Sequence, residues 1–331
     1  MQQTDVGTPS FYRRPLPTPP ATAFSSEDGR RLFREALSKG WMEGYFLLAE
    51  QFRTQDEPAF CGLSTLTMVL NALGVDPMRT WKGPWRWYHE SMLDCCRPLE
   101  SVEKSGLLFQ EFVCLGDCHG LDLCPKHPQE PGTNGAGATI AGPAATDSCT
   151  AGTEKNLLKP CCAKDAVSLP AQESLADFRA NVIAACSSPG LPMVVVSYSR
   201  KEFEQTGDGH FSPIAGYHKS TDGTEERVLI LDTARFKYPP HWVPLSLLYS
   251  AMQRRDPSTG LMRGWVVVGS VKQVEPRCSP GRDAERRDDR VEADAQVDNG
   301  GMYNRMQRAR SGADVLEKFL CRDKKQSSAA T

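Results

Sequence analysis

Apolar residues recur at helical spacing in the first quarter of this chain and bunch into short β-rich runs beyond residue 190; that order restricts the folds open to it. In CGLSTLTMVLNALG, Leu63, Leu66, Leu70 and Leu73 share a helix face and Gly74 supplies the stop, which puts Cys61 at a helix N-terminus. Upstream, Ser25-Ser26-Glu27-Asp28 offers an N-cap and an acidic first turn to a helix over RRLFREALSKG, ended by Gly40. The segment from Trp41 to Phe52 reads as a second, buried helix, and SLADFRANVIAAC, from Ser174, as another. MVVVSYS, HFSPIAGY, RVLILDTA and GWVVVGS read as strands. Helices come first and strands later, so the expected class is α+β rather than an alternating parallel-sheet fold.

Composition narrows the function. With net charge -2, the 331 residues lack the basic surface that nucleic acid or an acidic membrane favours. No apolar run approaches the ~18 residues of a membrane span. MQQTDVGTPSFYRRPLPTPP has no signal-peptide core and QSSAAT no retention or lipidation signal, so the expected compartment is the cytoplasm. In that setting most of the 12 cysteines are expected as reduced thiols. Residues 1–24 read as an extended arm, 25–275 as a catalytic domain, and 276–331 as a solvated tail with a short helix near 313–320. In 276–331, 22 of 56 residues are charged. Within 128–152, 19 of 25 residues are Gly, Pro, Ala, Ser or Thr, so a disordered insertion is expected over about 128–170.

A helix N-terminus lowers a thiol pKa, which makes Cys61 a candidate nucleophile. Gln55, six residues earlier, could form an oxyanion hole with the Cys61 N–H. Counting outward from a turn near Thr221 puts His210, the candidate base, opposite Asp232, which could orient it. The order Gln, Cys, His, Asp is that of papain-like thiol enzymes. Cys95, Cys96, Cys114 and Cys118, near His119, Cys124 and His127, could bind metal; their irregular spacing favours loose binding of soft ions over a closed tetrahedron. Trp81, Trp85, Trp87 and Tyr88 are expected to pack beneath a Pro-containing loop. His119, His127, His218 and His241 carry no assigned role.

YRRPLPTPP, EPAFCGLSTLTMVLNALGVDP, WKGPWRWYHESMLDCC, GHFSPIAGYH and LDTARFKYPPHWVP together resemble the phytochelatin synthases, over about 11–125 and 174–270. The resemblance implies a papain-like fold and a gamma-glutamylcysteine dipeptidyl transfer from glutathione through a Cys61 thioester, with His210, Asp232 and Gln55 in the family's roles. It further implies that Arg200, Arg235 and Lys237 hold substrate carboxylates, and that Cd or Zn stimulates as a glutathione thiolate complex. No organic cofactor is implied. The implied partners are glutathione, phytochelatin chains and heavy-metal ions; a homodimer stays open. Three features depart from the family: Phe60 stands where tyrosine is usual, the insertion interrupts the core, and the tail holds only Cys278 and Cys321. The rival readings are a cysteine hydrolase that releases glycine from glutathione, and a protein whose thiols merely sequester metal.

Overall fold

Ser26 opens the first helix, its hydroxyl accepting from the Gly29 N–H at 3.0 Å while Glu27 and Asp28 load the first turn with negative charge. This helix, α1, spans Glu27–Ser38, and α2 spans Glu43–Glu50. The expected third helix is α3, Cys61–Ala72, with Gly74 beyond it at a φ of 63°. Every residue of α3 except Asn71 is buried, because the helix runs between the sheet, α2 and the helix over Phe109–Cys118. The computed structural model describes residues 10–131 and 171–272. Among these, α4 spans Leu99–Ser105, α5 Phe109–Cys118, α6 Leu175–Ser187 and α7 Leu245–Gln253. Ser174 and Asp177 cap α6 reciprocally, each side chain accepting from the other's backbone N–H.

The four expected strands are present as β4 (Met193–Ser199), β5 (Gly209–Lys219), β6 (Glu226–Ile230) and β8 (Gly264–Val271). Four more join them: β1 (Thr22–Ala23), β2 (Leu121–Pro128), β3 (Ala171–Glu173) and β7 (His241–Pro244). One eight-stranded sheet results, in the order β1-β7-β6-β5-β4-β8-β2-β3, antiparallel throughout except for β2 with β3. The class is therefore mixed α+β, with seven α-helices among the described residues. The additional strands leave little trace in the sequence: three are two to four residues long, and β2 carries two prolines. Phe178 of α6 packs on Trp265 of β8 at 4.9 Å within a core that also holds Val194, Val196 and Val267.

Several expectations are corrected here. The β5–β6 turn is longer than one centred on Thr221, for the Ser220 N–H donates to Glu225 O. The β5–β6 register, with a bulge between Ile214 and Gly216, leads past Ile214↔Ile230 and therefore does not set His210 directly opposite Asp232. The two meet as diagonal neighbours. Trp81, Trp85 and Trp87 do not pack beneath a loop; they are exposed, and only Tyr88 is buried. The cause is a tight turn, Trp81 N–H to Trp85 O, which lifts the tryptophans outward, leaving Trp81 stacked on His89. The expected insertion starts too early. Pro128 closes β2, Gln129 N–H donates to the Tyr249 hydroxyl, and Arg255 pairs with Glu130. The rest of the insertion (132–170), and the tail from 276 with its expected helix, lie outside the described residues.

Gly264 begins β8 where a Cβ would stand 2.1 Å from the backbone oxygen of Lys126 on β2. Gly264→Ala is therefore expected to cost about 1–3 kcal/mol of stability, since backbone cannot swing aside as a side-chain end can. Urea denaturation followed by far-UV circular dichroism measures this; an unchanged midpoint would mean that β2 and β8 approach less closely.

Candidate active site

Gly62 lets the N-terminus of α3 approach β5, for a Cβ there would lie 2.9 Å from Leu107 and 3.4 Å from the Phe211 ring. Thr65 strengthens the contact, its hydroxyl donating to Phe211 O at 3.2 Å, and Phe112 of α5 stacks on Phe211 at 4.9 Å. The helix end that carries Cys61 is thus held beside the strand that carries His210. The charge and side chain of His210 act on the Cys61 thiol. The Nε2 side of the ring lies 2.7 Å from Asp232 Oδ1, which leaves Nδ1 to serve the thiol. Cys61, His210 and Asp232 are all buried and come together from α3, β5 and the segment after β6, which ends at Ile230, short of the expected strand through Ala234.

Electrostatics at the site favour an ion pair. Burial opposes ionisation of Cys61, but the charge and hydrogen bond of His210, a backbone contact with Phe211 and the charge of Arg200 together lower its pKa. Burial and Arg200 push the His210 imidazole down, yet Asp232 and the Cys61 thiolate prevail and raise it. Asp232 is buried too, but Arg200 and His210 hold it far below the ordinary carboxylate range.

Arg200 departs most from its expected role. Its guanidinium faces inward, only 2% exposed, and grips Asp232 at 2.9 and 2.7 Å while donating to Gln205 Oε1 at 2.6 Å. A substrate carboxylate would have to displace Asp232 to reach it. Behind it, Gln205 Nε2 lies 3.1 Å from His241 Nε2, and His241 Nδ1 lies 2.8 Å from Pro239 O. A carbonyl can only accept, so His241 carries its proton on Nδ1 and accepts from Gln205 at Nε2. Tyr238 flanks it, its ring centroid 5.4 Å from the Arg200 guanidinium. The sequence carries no short-range sign of Gln205, Tyr238 or His241 in this network, because they meet only in the fold.

Gln55 reaches the site through the end of β6: its N–H donates to Thr233 O, and its Oε1 accepts from the Thr233 hydroxyl. Its Nε2 donates at 2.9 Å to both Glu57 O and Pro58 O. Stabilising an oxyanion would mean sharing one of those two hydrogens. Beneath this loop the buried Glu90 accepts from the Asp56 N–H at 3.0 Å, and its burial pushes it up to about 7. Arg235 is exposed above the Phe52 ring and Lys237 is half-buried beside Gly207. Among the described residues neither has an ion-pair partner.

The metal expectation is met in part. Cys95, Cys96 and Cys118 bring their sulfurs within 4.8 Å of one another and could bind a metal ion. Cys114 does not belong with them: it is disulfide-bonded, as is Cys124, which corrects its ligand role, while most of the described cysteines stay reduced as expected. Cys61, Cys95, Cys96, Cys118 and Cys186 carry thiols. His119, which had no role, places Nε2 3.6 Å from Cys95 Sγ, and burial pushes it down to about 4.

The phytochelatin synthase family model matches residues 11–265. The chain is 47% identical over 259 residues to glutathione gamma-glutamylcysteinyltransferase 1 of Triticum aestivum, covering 78% of this chain and 42% of that protein. Glutathione gamma-glutamylcysteinyltransferase 3 of Lotus japonicus is 43% identical over 269 residues, 81% of this chain and 46% of its own length. The Schizosaccharomyces pombe glutathione gamma-glutamylcysteinyltransferase is 42% identical over 259 residues, 78% and 51% respectively. The chain spans about half the length of the curated relatives it matches.

The Arg200 geometry separates two roles. Arg200→Lys keeps a cation but loses the fork that holds Asp232 through Nη2 and Gln205 through Nη1, so kcat is expected to fall tenfold or more, about 1.4 kcal/mol, with KM little changed. Steady-state kinetics of the Cys61-dependent reaction reads the split. A rise in KM at constant kcat would return Arg200 to carboxylate binding.

Proposed function

The chain belongs to the phytochelatin synthase family, and we propose that it transfers gamma-glutamylcysteine from one glutathione to another with release of glycine. The observation that carries this reading is a buried His210 hydrogen-bonded to Asp232 and acting by its charge on the buried Cys61 thiol. An acyl-transfer enzyme needs a nucleophile, a proton carrier and a group to orient the carrier, and these three supply them. A helix that presents its thiol to a sheet-borne histidine is also what a papain-like fold would look like.

The chemistry follows from the ion pair. The Cys61 thiolate attacks the carbonyl of the cysteinyl–glycine bond, and the oxyanion forms between the Cys61 N–H and Gln55. His210 gives its proton to the departing glycine amine, leaving a gamma-glutamylcysteinyl thioester on Cys61. The amine of a second glutathione, or of a growing phytochelatin, then attacks while His210 takes a proton from it. Water competes at this step, so the acceptor must fill the site. Arg235 and Lys237, without ion-pair partners among the described residues, are suited to the acidic ends of these peptides. Arg200 instead keeps Asp232 ionised and in place. Cd or Zn enters as substrate, bound to glutathione thiolates, which ties the activity to heavy-metal detoxification.

Incubating the protein with glutathione, with and without Cd, and weighing the products by mass spectrometry tests the reading. Oligomers of gamma-glutamylcysteine support transfer; gamma-glutamylcysteine and glycine alone would make the protein a hydrolase. Cys61→Ser is expected to abolish glycine release. His210→Ala should slow it by about 10²–10⁴-fold, the usual worth of a positioned proton carrier, and Asp232→Asn by less. The reverse ranking would mean that the base is misassigned.

The ion pair also sets the pH dependence. The acid limb of single-turnover glycine release should have its midpoint below the ordinary thiol value of about 8.5, and the alkaline limb its midpoint above the ordinary imidazole value of about 6.5, since Cys61 is lowered and His210 raised. Asp232 is one of the groups that raise His210, so Asp232→Asn should move the alkaline limb to lower pH. A shift to higher pH would contradict the Asp232–His210 linkage.

A further inference from the structure

Cys95 and Cys96 lie on the loop before α4, and Cys118 and His119 lie at the C-terminal end of α5. All four are buried, with exposures of 7%, 2%, 5% and 6%. The Cys95 and Cys96 sulfurs are 3.7 Å apart, those of Cys96 and Cys118 3.5 Å, and Cys95 Sγ is 3.6 Å from His119 Nε2. A tetrahedral ion with bonds of about 2.3 Å to sulfur and about 2.05 Å to nitrogen requires edges of about 3.8 Å between sulfurs and about 3.6 Å from sulfur to nitrogen. The three separations match those edges. The other ring nitrogen of His119 is held from behind, with Nδ1 3.2 Å from the buried Tyr88 hydroxyl, as the non-ligating nitrogen of a metal-bound histidine usually is. Closing the fourth corner takes a swing of the imidazole towards Cys96 and Cys118.

We propose that Cys95, Cys96, Cys118 and His119 form a closed site for a soft divalent ion, zinc or cadmium, separate from the Cys61 centre. Four protein donors fill the coordination sphere, so the ion has no open position for a substrate thiolate and its role is structural. As it binds, three thiols become thiolates and release three protons to solvent, and the imidazole coordinates through its lone pair. The filled cluster then carries one net negative charge, and Arg79, whose charge already acts on His119, stands near it. The ion would tie the loop before α4 to α5, the helix whose Phe112 stacks on Phe211 next to His210. The site does not depend on the transferase reading. It differs from the expected set in using His119 and not Cys114, although Cys114 Sγ lies 3.2 Å from Cys96 Sγ.

The test uses the full chain carrying Cys61→Ser, so that the nucleophile cannot contribute, in a non-chelating thiol-free reductant that also opens the Cys114 disulfide. Cobalt(II) is titrated as an optical probe and then displaced with zinc or cadmium. A single tight equivalent with thiolate charge-transfer and tetrahedral ligand-field bands is expected. Cys96→Ser should abolish it, His119→Ala should weaken it at least tenfold and change the bands, and Cys114→Ser should leave both as they were. Tyr88→Phe should weaken it about 10–100-fold, as loss of a partner behind a ligating histidine does. Where Cys96→Ser does not fold, His119→Cys carries the test, because it should retain the ion with stronger charge-transfer bands. Absence of thiolate bands overturns the site. An unaltered spectrum in His119→Ala or His119→Cys, or loss of binding in Cys114→Ser, overturns the assignment of its fourth ligand.

Discussion

A carboxylate with no access to solvent organises the centre of this protein. Burying Asp232 unpaired would cost several kcal/mol, so the fold supplies partners from every side. Arg200 arrives from the end of β4, His210 from the start of β5, and the Ala234 N–H from the turn that Asp232 itself begins. β5 stands between β4 and β6 in the sheet, so the guanidinium and the carboxylate converge on the imidazole from the two neighbouring strands. Stability and chemistry therefore depend on the same contact. The pair that offsets the buried charge also fixes the ring that moves the proton.

Two buried cysteines show what that arrangement does to a thiol. Cys186 on α6 lies in the apolar core, and burial alone drives its pKa far up, which leaves it an inert hydrophobe. Cys61 meets the same opposition from burial but sits against His210, within the field of Arg200, and at the start of a helix. Its pKa goes down. Low dielectric thus acts in either direction: it suppresses an isolated charge and strengthens a paired one.

α5 joins the catalytic centre to the cysteine cluster. One turn places Phe112 on Phe211, behind His210 and Cys61, and its last turn delivers Cys118 and His119 to Cys95 and Cys96.

Local signals carried much of this structure. The caps at Ser26 and Ser174, the leucine spacing of α3 with its Gly74 stop, and the short apolar runs of β4, β5, β6 and β8 are near-neighbour properties, so they can be read from a few adjacent residues. Cys61, His210 and Asp232 were legible for a related reason: nucleophile, base and orienter each need a particular residue type, and two of them sit on readable elements. Tertiary structure alone decided the inward turn of Arg200, the Gln205–His241 network behind it, the diagonal meeting of His210 and Asp232, and the exposure of the tryptophans. It also assembled Cys95, Cys96, Cys118 and His119 and committed the neighbouring Cys114 to a disulfide. Each of these depends on the length of a turn, a bulge or the approach of two elements distant in the chain, and a side chain's role is then set by which partner it meets rather than by its type.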